Sequence, residues 1–213
     1  MIDSLIFDLD GVLVFTDKYH YAAWKEMADD LGVDFDEKIN NRLRGVRRME
    51  SLEIILERYE GPALSKEEKE ALAKKKNDIY RELLKKMSPD DVSEDVRFTL
   101  KELKKRGMHL AIGSSSKNAK LILDKVGLMD SFEAISDGEN ISRSKPDPEV
   151  FVKAALFMDK RPEACMVVED AFSGIEAAKA AGMKATAIGD ARNSEKADYK
   201  IEKLSDLLNL IAV

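Results

Sequence analysis

The chain has 213 residues, 44% hydrophobic and 36% charged, with a formal net charge of −6 and an isoelectric point near 5.2. Such a composition supports a sizeable core, in one large domain or in a domain carrying an insertion. The acidic balance argues against nucleic acid or an anionic membrane as a partner, since both would repel it at long range.

Residues 2–8 form a short apolar run, stopped by Asp8 and Gly11, that predicts a buried strand. Residues 17–87 then predict helices only, over 17–31, 36–43, 48–60 and 66–87. The last of these opens on Ser65-x-x-Glu68, a capping box, and Ser88-Pro89-Asp90-Asp91 breaks the pattern after it. From there strands and helices alternate. Buried strands are expected over 108–113, 165–168 and 183–188, a weaker one near 133–136 and an edge strand near 199–201. Helices are expected over 94–106, 117–127, 148–158, 172–181 and 204–211, with Gly107, Gly127 and Gly182 at C-cap positions. The expected fold is α/β: a Rossmann-like doubly wound parallel sheet with a small all-helical cap domain inserted after the first strand. Residues 1–14 and 92–213 would make the core, and 15–91 the cap.

The one cysteine, Cys165, permits no internal disulfide and fits a reducing cytoplasm. The first residues lack the basic region of a signal peptide, and no apolar run approaches the ~18 residues of a membrane span. A cytoplasmic location is expected.

Four segments carry chemistry, and each follows a predicted strand or opens a helix. Asp8 and Asp10 flank one residue before Gly11; two carboxylates this close repel unless a cation intervenes. One could attack phosphorus while the other moves a proton, or the pair could be a strand-ending Asp and a turn Asp. Ser114-Ser115-Ser116-Lys117-Asn118 offers hydroxyls and amides at a helix start, suited to phosphate oxygens or simply to an N-cap. Lys145, between Ser144 and Pro146, could screen a carboxylate from an incoming phosphate, or be a surface turn lysine. Glu169-Asp170 are hard oxygen donors suited to Mg²⁺, or another N-cap. In a parallel sheet, polar chemistry gathers at the carboxyl ends of the strands, and these segments would converge there.

In that order the segments resemble the four motifs of the haloacid dehalogenase superfamily: Asp8-Leu9-Asp10-Gly11-Val12, Ser114, Lys145-Pro146 and Glu169-Asp170. The resemblance implies an aspartyl-phosphate at Asp8, acid/base catalysis by Asp10 and phosphate binding by Ser114, its neighbour Ser115 and Lys145. It also implies Mg²⁺ ligation by Asp8, the Asp10 carbonyl, Glu169 and Asp170. Within the superfamily the chain is similar to the β-phosphoglucomutase branch. That likeness rests on Lys18-Tyr19-His20 with Trp24, Arg44-Gly45-Val46-Arg47-Arg48, Glu50-Ser51-Leu52, Lys76-Asn77-Asp78, Ser88-Pro89 and Ser116-Lys117-Asn118. It implies interconversion of β-D-glucose 1-phosphate and glucose 6-phosphate through β-glucose 1,6-bisphosphate, by a monomer whose partners are small sugar phosphates. Arg48, Ser116, Lys117 and Asn118 would take the second phosphate, and Trp24, Gly45, Val46 and Ser51 are further substrate- or phosphate-binding candidates. His20 and Lys76 would couple cap closure to the placement of Asp10. The residues themselves leave plainer readings open: Arg48 as a solvated helix-start charge, Lys76 as the end of a wet Lys-Lys-Lys face, and His20 and Trp24 as packing residues. A sugar-phosphate phosphatase and a non-catalytic phosphosugar-binding module are the rival functions. One departure stands out: Phe15 occupies a hinge position where the family commonly places an acid.

Overall fold

The computed structural model describes residues 2–43, 46 and 48–211. The chain divides into two compact units, Met1–Phe15 with Met87–Val213, and Thr16–Lys86.

The first unit is built on a parallel sheet. Its strands are β1 (Ser4–Phe7), β2 (His109–Gly113), β3 (Ala134–Ser136), β4 (Cys165–Glu169), β5 (Lys184–Ala187) and β6 (Tyr199–Lys200). They lie in the order β3-β2-β1-β4-β5-β6, with every neighbouring pair parallel. Ile6, Ala111, Val167 and Ala185 on one face, and Leu5, Phe7, Leu110 and Ile112 on the other, are all fully buried. Burial on both faces is why these strands read as continuous apolar runs without alternation. Its helices, which follow four in the other unit along the chain, are α5 (Glu94–Lys105), α6 (Ala119–Lys125), α7 (Glu149–Phe157), α8 (Phe172–Ala180) and α9 (Leu207–Leu210). Phe151 and Ala154 of α7 and Ile175 and Ala178 of α8 pack into one cluster with Ile6, Ala111 and Val167.

The second unit is helical: α1 (Asp17–Asp30), α2 (Glu37–Arg42), α3 (Arg48–Leu56) and α4 (Lys66–Leu84). Trp24, Met27, Leu52, Ile55 and Ala73 form its core. Ser65 caps α4 by accepting from the Glu68 amide at 3.2 Å, while the Glu68 carboxylate accepts from the Ser65 amide at 2.7 Å.

Several boundaries differ from the sequence expectation. The third helix stops at Leu56, where the Tyr59 amide turns back to the Leu56 carbonyl ahead of Gly61-Pro62. The predicted helix over 204–211 is a 3-10 turn, Leu204–Asp206, running into the short α9. There the Asp206 carboxylate holds the Glu202 and Lys203 amides. No described helix is long and apolar enough to cross a membrane.

Sheet register positions the chemistry. Phe7 is level with both Ile112 of β2 and Val168 of β4. The next residue of each strand therefore stands on one edge, which brings Asp8 beside Glu169 and just short of Ser114. That edge is also where the strand order reverses, β2 and β3 lying to one side of β1 and β4 to β6 to the other. A crevice at such a reversal is the usual ligand position in open α/β sheets.

Candidate active site

Asp8 continues β1 by one residue, its amide donating to the Val168 carbonyl at 3.0 Å. A tight turn follows, in which the Gly11 amide donates to the Val14 carbonyl at 2.8 Å and the Leu13 amide to the Leu9 carbonyl at 3.0 Å. Gly11 is required there twice over. Its φ is +81°, and a Cβ would lie 2.0 Å from Oδ2 of Asp170. A Gly11→Ala change is expected to cost about 1–2 kcal/mol in backbone strain and to displace the Asp170 carboxylate. The checks are a lowered melting temperature and a divalent-cation affinity weakened by about tenfold or more.

Lys145 reaches the same point from the loop after β3, through a cis peptide bond to Pro146. Its ammonium donates to the Asp8 carboxylate and, at 2.7 Å, to Oε1 of Glu169, and it sits 4.7 Å from the centroid of the Phe151 ring. The loop is anchored by Glu149, whose Oε2 accepts from the Ser142 amide (3.0 Å), the Ser142 hydroxyl (2.8 Å) and the Arg143 amide (2.8 Å). Hydrogen bonds from Lys153, from Ser142 and from the Arg143 amide bring the Glu149 carboxyl down to about 2. Glu169 is fixed in turn by the Ala171 amide, which donates to its Oε2 at 2.9 Å. It also packs against bare backbone at Gly174, where a Cβ would fall 2.0 Å from its carboxylate.

Carboxylate oxygens of Asp8, Glu169 and Asp170 lie within 4.8 Å of one another. Burial pushes the Asp8 carboxyl well above its ordinary range; Lys145 pulls it back, and Glu169 and Asp170 push it further up. Burial, and then the Glu169 charge, raise Asp170 to about 7. For Lys145 burial opposes the charge, but Asp8 and Glu169 outweigh it and its pKa rises. Among the described residues, the Lys145 ammonium thus faces three carboxyl groups, which leaves the cluster short of positive charge. A small divalent cation fits this donor set: hard oxygens, close together and short of positive charge.

Ser114 is buried at the next strand end, its amide bound to the Ser136 carbonyl at 3.0 Å. The following loop winds on its own hydroxyls. Ser114 Oγ accepts from the Ser116 amide at 3.2 Å, and Ser116 Oγ accepts from the Asn118 amide at 3.1 Å. The helix therefore begins at Ala119, two residues later than its pattern suggested, with Asn118 at the N-cap but not side-chain bonded there. Ser115 and Lys117 are exposed and Asn118 is buried. The loop leans on the turn after β3: the Gly138 amide donates to the Ser116 carbonyl at 3.1 Å, and a Gly138 Cβ would meet the Ser115 carbonyl oxygen at 2.6 Å. Phe15, at the end of this segment of the unit, is 69% exposed.

Within the helical unit, Lys76 is 3% exposed, and its Nζ lies 2.8 Å from Nδ1 of His20. It also sits 4.8 Å from the Trp24 ring centroid and 4.6 Å from that of Tyr80. The reading of Lys76 as a wet helix face is therefore wrong: Lys74 and Lys75 are exposed, and Lys76 turns inward with Ala73, Tyr80 and Leu84. Trp24 belongs to the core and at the same time faces Lys76. Arg48 donates to Oδ1 of Asn77 at 2.9 Å, and the Ser51 hydroxyl donates to the Val46 carbonyl at 3.4 Å. Gly45, with Arg44 and Arg47, lies outside the described residues.

The structure thus brings Asp8, Lys145, Glu169 and Asp170 together, with Ser114 on the same edge, and separately gathers His20, Trp24 and Lys76. Glu149, Gly174 and Gly138 escaped sequence reading. Only Glu149 left a trace there, as an acid in the first turn after Pro148.

A family model of the haloacid dehalogenase-like hydrolases matches residues 2–182. The chain belongs to that family. Among its relatives, this haloacid dehalogenase-like protein is 40% identical over 207 residues to a β-phosphoglucomutase of Bacillus subtilis, covering 96% of this chain and 91% of the other. It is 30% identical over 185 residues to a phosphorylated carbohydrates phosphatase of Thermotoga maritima, covering 86% and 83%. A crystal structure of β-phosphoglucomutase from Clostridium difficile superposes with a TM-score of 0.86 at 36% identity, over 97% of this chain and 93% of that one.

Proposed function

We propose that the protein is a Mg²⁺-dependent β-phosphoglucomutase, interconverting β-D-glucose 1-phosphate and glucose 6-phosphate through β-glucose 1,6-bisphosphate. Phosphoryl transfer rests on the Asp8 carboxylate, buried, ion-paired to Lys145 and flanked by Glu169 and Asp170. The choice of a sugar as acceptor rests on the 40% identity to the Bacillus subtilis mutase over nearly the whole chain.

In this reading a phosphoryl group resides on Asp8 and passes to a sugar hydroxyl. The bond from Asp8 to phosphorus breaks, a bond from the sugar oxygen forms, and the hydroxyl proton goes to Asp10. After the bisphosphate reverses its direction, its other phosphoryl group moves to Asp8 and Asp10 returns the proton. Lys145 holds Asp8 in line and offsets charge on the transferring group. Mg²⁺, held by Asp8, Glu169, Asp170 and the Asp10 carbonyl, would supply charge neutralisation at the phosphoryl oxygens. Ser114 would bind the transferring phosphate; Ser116, Lys117, Asn118 and Arg48 would bind the second one. The helical unit would act as a cap domain, supplying His20, Trp24, Val46, Ser51 and Lys76.

The cation has a thermodynamic signature of its own. Asp170, raised from 3.8 to about 7, contributes stability that is present at low pH and is lost as pH rises through about 7 in the metal-free protein. Mg²⁺ competes with those protons, so the rise in melting temperature on adding it should grow between about pH 5 and pH 8. Calorimetry with and without chelator measures this, and an increment independent of pH would contradict the metal assignment.

The rival is a sugar-phosphate phosphatase, which the 30% identity to the Thermotoga maritima phosphatase favours. Initial rates of glucose 6-phosphate formation and of phosphate release, measured side by side from β-glucose 1-phosphate with Mg²⁺ and primer, separate the two. Faster isomerisation supports the mutase; faster phosphate release supports the rival.

A further inference from the structure

In the helical unit one residue touches His20, Lys76 and Thr16 together. The Tyr80 ring stacks on His20, centroids 4.1 Å apart and planes 19° from parallel. The same ring presents its face to the Lys76 ammonium at 4.6 Å. Its hydroxyl donates to Oγ1 of Thr16 at 3.0 Å, immediately before α1, which carries His20. Tyr80 itself is 1% exposed.

An ammonium has no acceptor, so at 2.8 Å Lys76 must donate and His20 Nδ1 must accept. The neutral imidazole then carries its proton on Nε2, the nitrogen turned away from Lys76. Reversing the ring or letting it swing would exchange donor for acceptor there. Two things prevent that: the stack on Tyr80, which fixes the ring plane, and the flanking of Lys76 by the Trp24 and Tyr80 faces, which compensates the buried charge. Among the described residues, burial first and then the charges of Lys76 from α4 and Arg48 from α3 hold the imidazole's pKa well below its ordinary value.

We propose that Tyr80 is a positioning residue whose ring fixes the orientation and tautomer of His20 against Lys76. Its kinetic consequence rests on the mutase reading above; its spectroscopic consequence does not. The chain has two histidines, so nitrogen-15 spectra of the imidazoles, assigned with His109→Gln, report His20 directly. The intact protein should show the Nε2–H tautomer with no protonation down to about pH 5. Tyr80→Met, which fills the space without a ring face, should mix the tautomers and move the His20 midpoint upward by about one unit or more. Tyr80→Phe should restore the single tautomer. In the mutase assay Tyr80→Met should lower kcat about tenfold or more with KM within about threefold, and Tyr80→Phe by no more than about threefold. An unchanged tautomer and midpoint in Tyr80→Met would overturn the proposal. So would failure of Phe to restore them, or loss of the cooperative melt in Tyr80→Met, which would make Tyr80 a core residue only. Altered spectra with no mutase turnover in any variant, the parent included, would count against the mutase reading and leave the positioning role standing.

Discussion

Asp8→Asn is expected to lower turnover by about four orders of magnitude or more while leaving the fold intact. The amide keeps the shape and can still accept from Lys145, but it has no lone pair nucleophilic enough to displace a phosphoryl leaving group. Neither neighbouring carboxylate of the cluster can substitute. Glu169 is bound to Lys145 and the Ala171 amide, and Asp170 lies beyond it at the strand end. The charge balance gives the same variant an opposite effect on stability. Three carboxyl groups share one ammonium in the parent, and removing one carboxylate relieves their repulsion. Without added cation the melting temperature should therefore hold or rise. Calorimetry together with a turnover assay checks both halves. Turnover within about a hundredfold of the parent would mean that Asp8 is not the nucleophile.

The second large effect is expected at Lys145. Its side chain is 8% exposed and is shared between Asp8 and Glu169. Lys145→Met keeps the volume beside Phe151 and removes the charge, which leaves the buried carboxylates without an internal cation. Breaking a buried ion pair from one side costs about 3–5 kcal/mol, and loss of a preorganised charge at the reacting phosphate costs about 10²–10³ in kcat. The stability loss should be largest at neutral to alkaline pH and should shrink on acidification, because protonation of Asp8 and Asp170 removes the charges left unpaired. Denaturant titrations at two pH values test this. A loss that did not depend on pH would show that the lysine acts by packing alone.

How far the sequence could be read follows from the physics of each residue. The strands were legible because burial on both faces demands apolar runs, and Leu5-Ile6-Phe7 and Cys165-Met166-Val167-Val168 are such runs, each ending in an acid. The parallel register then makes Asp8 and Glu169 neighbours, so the convergence of the strand-end groups could be anticipated from alternation alone. Lys76 was harder. In composition it is the third of three lysines, and only helical phase separates it from the other two, setting it on the Ala73–Tyr80–Leu84 stripe. Tyr80 is a core residue, yet its ring also holds a polar pair, which no one-dimensional pattern encodes. Gly174 and Gly138 were invisible for a different reason. Their role is the absence of a Cβ where a carboxylate or a carbonyl from a distant segment comes close. The start of α6 shifted because Ser114 and Ser116 bond the amides two residues on, and that local turn wins over helix for two more residues.

The most direct test of the central claim is an anomer-resolved assay of the purified protein with Mg²⁺, supplied with β- or α-glucose 1-phosphate, with and without β-glucose 1,6-bisphosphate. A sugar-directed Asp8 predicts glucose 6-phosphate from the β anomer only, accelerated by the bisphosphate and outpacing phosphate release. Equal turnover of both anomers, or phosphate release that outruns isomerisation whether or not the bisphosphate is present, would contradict it.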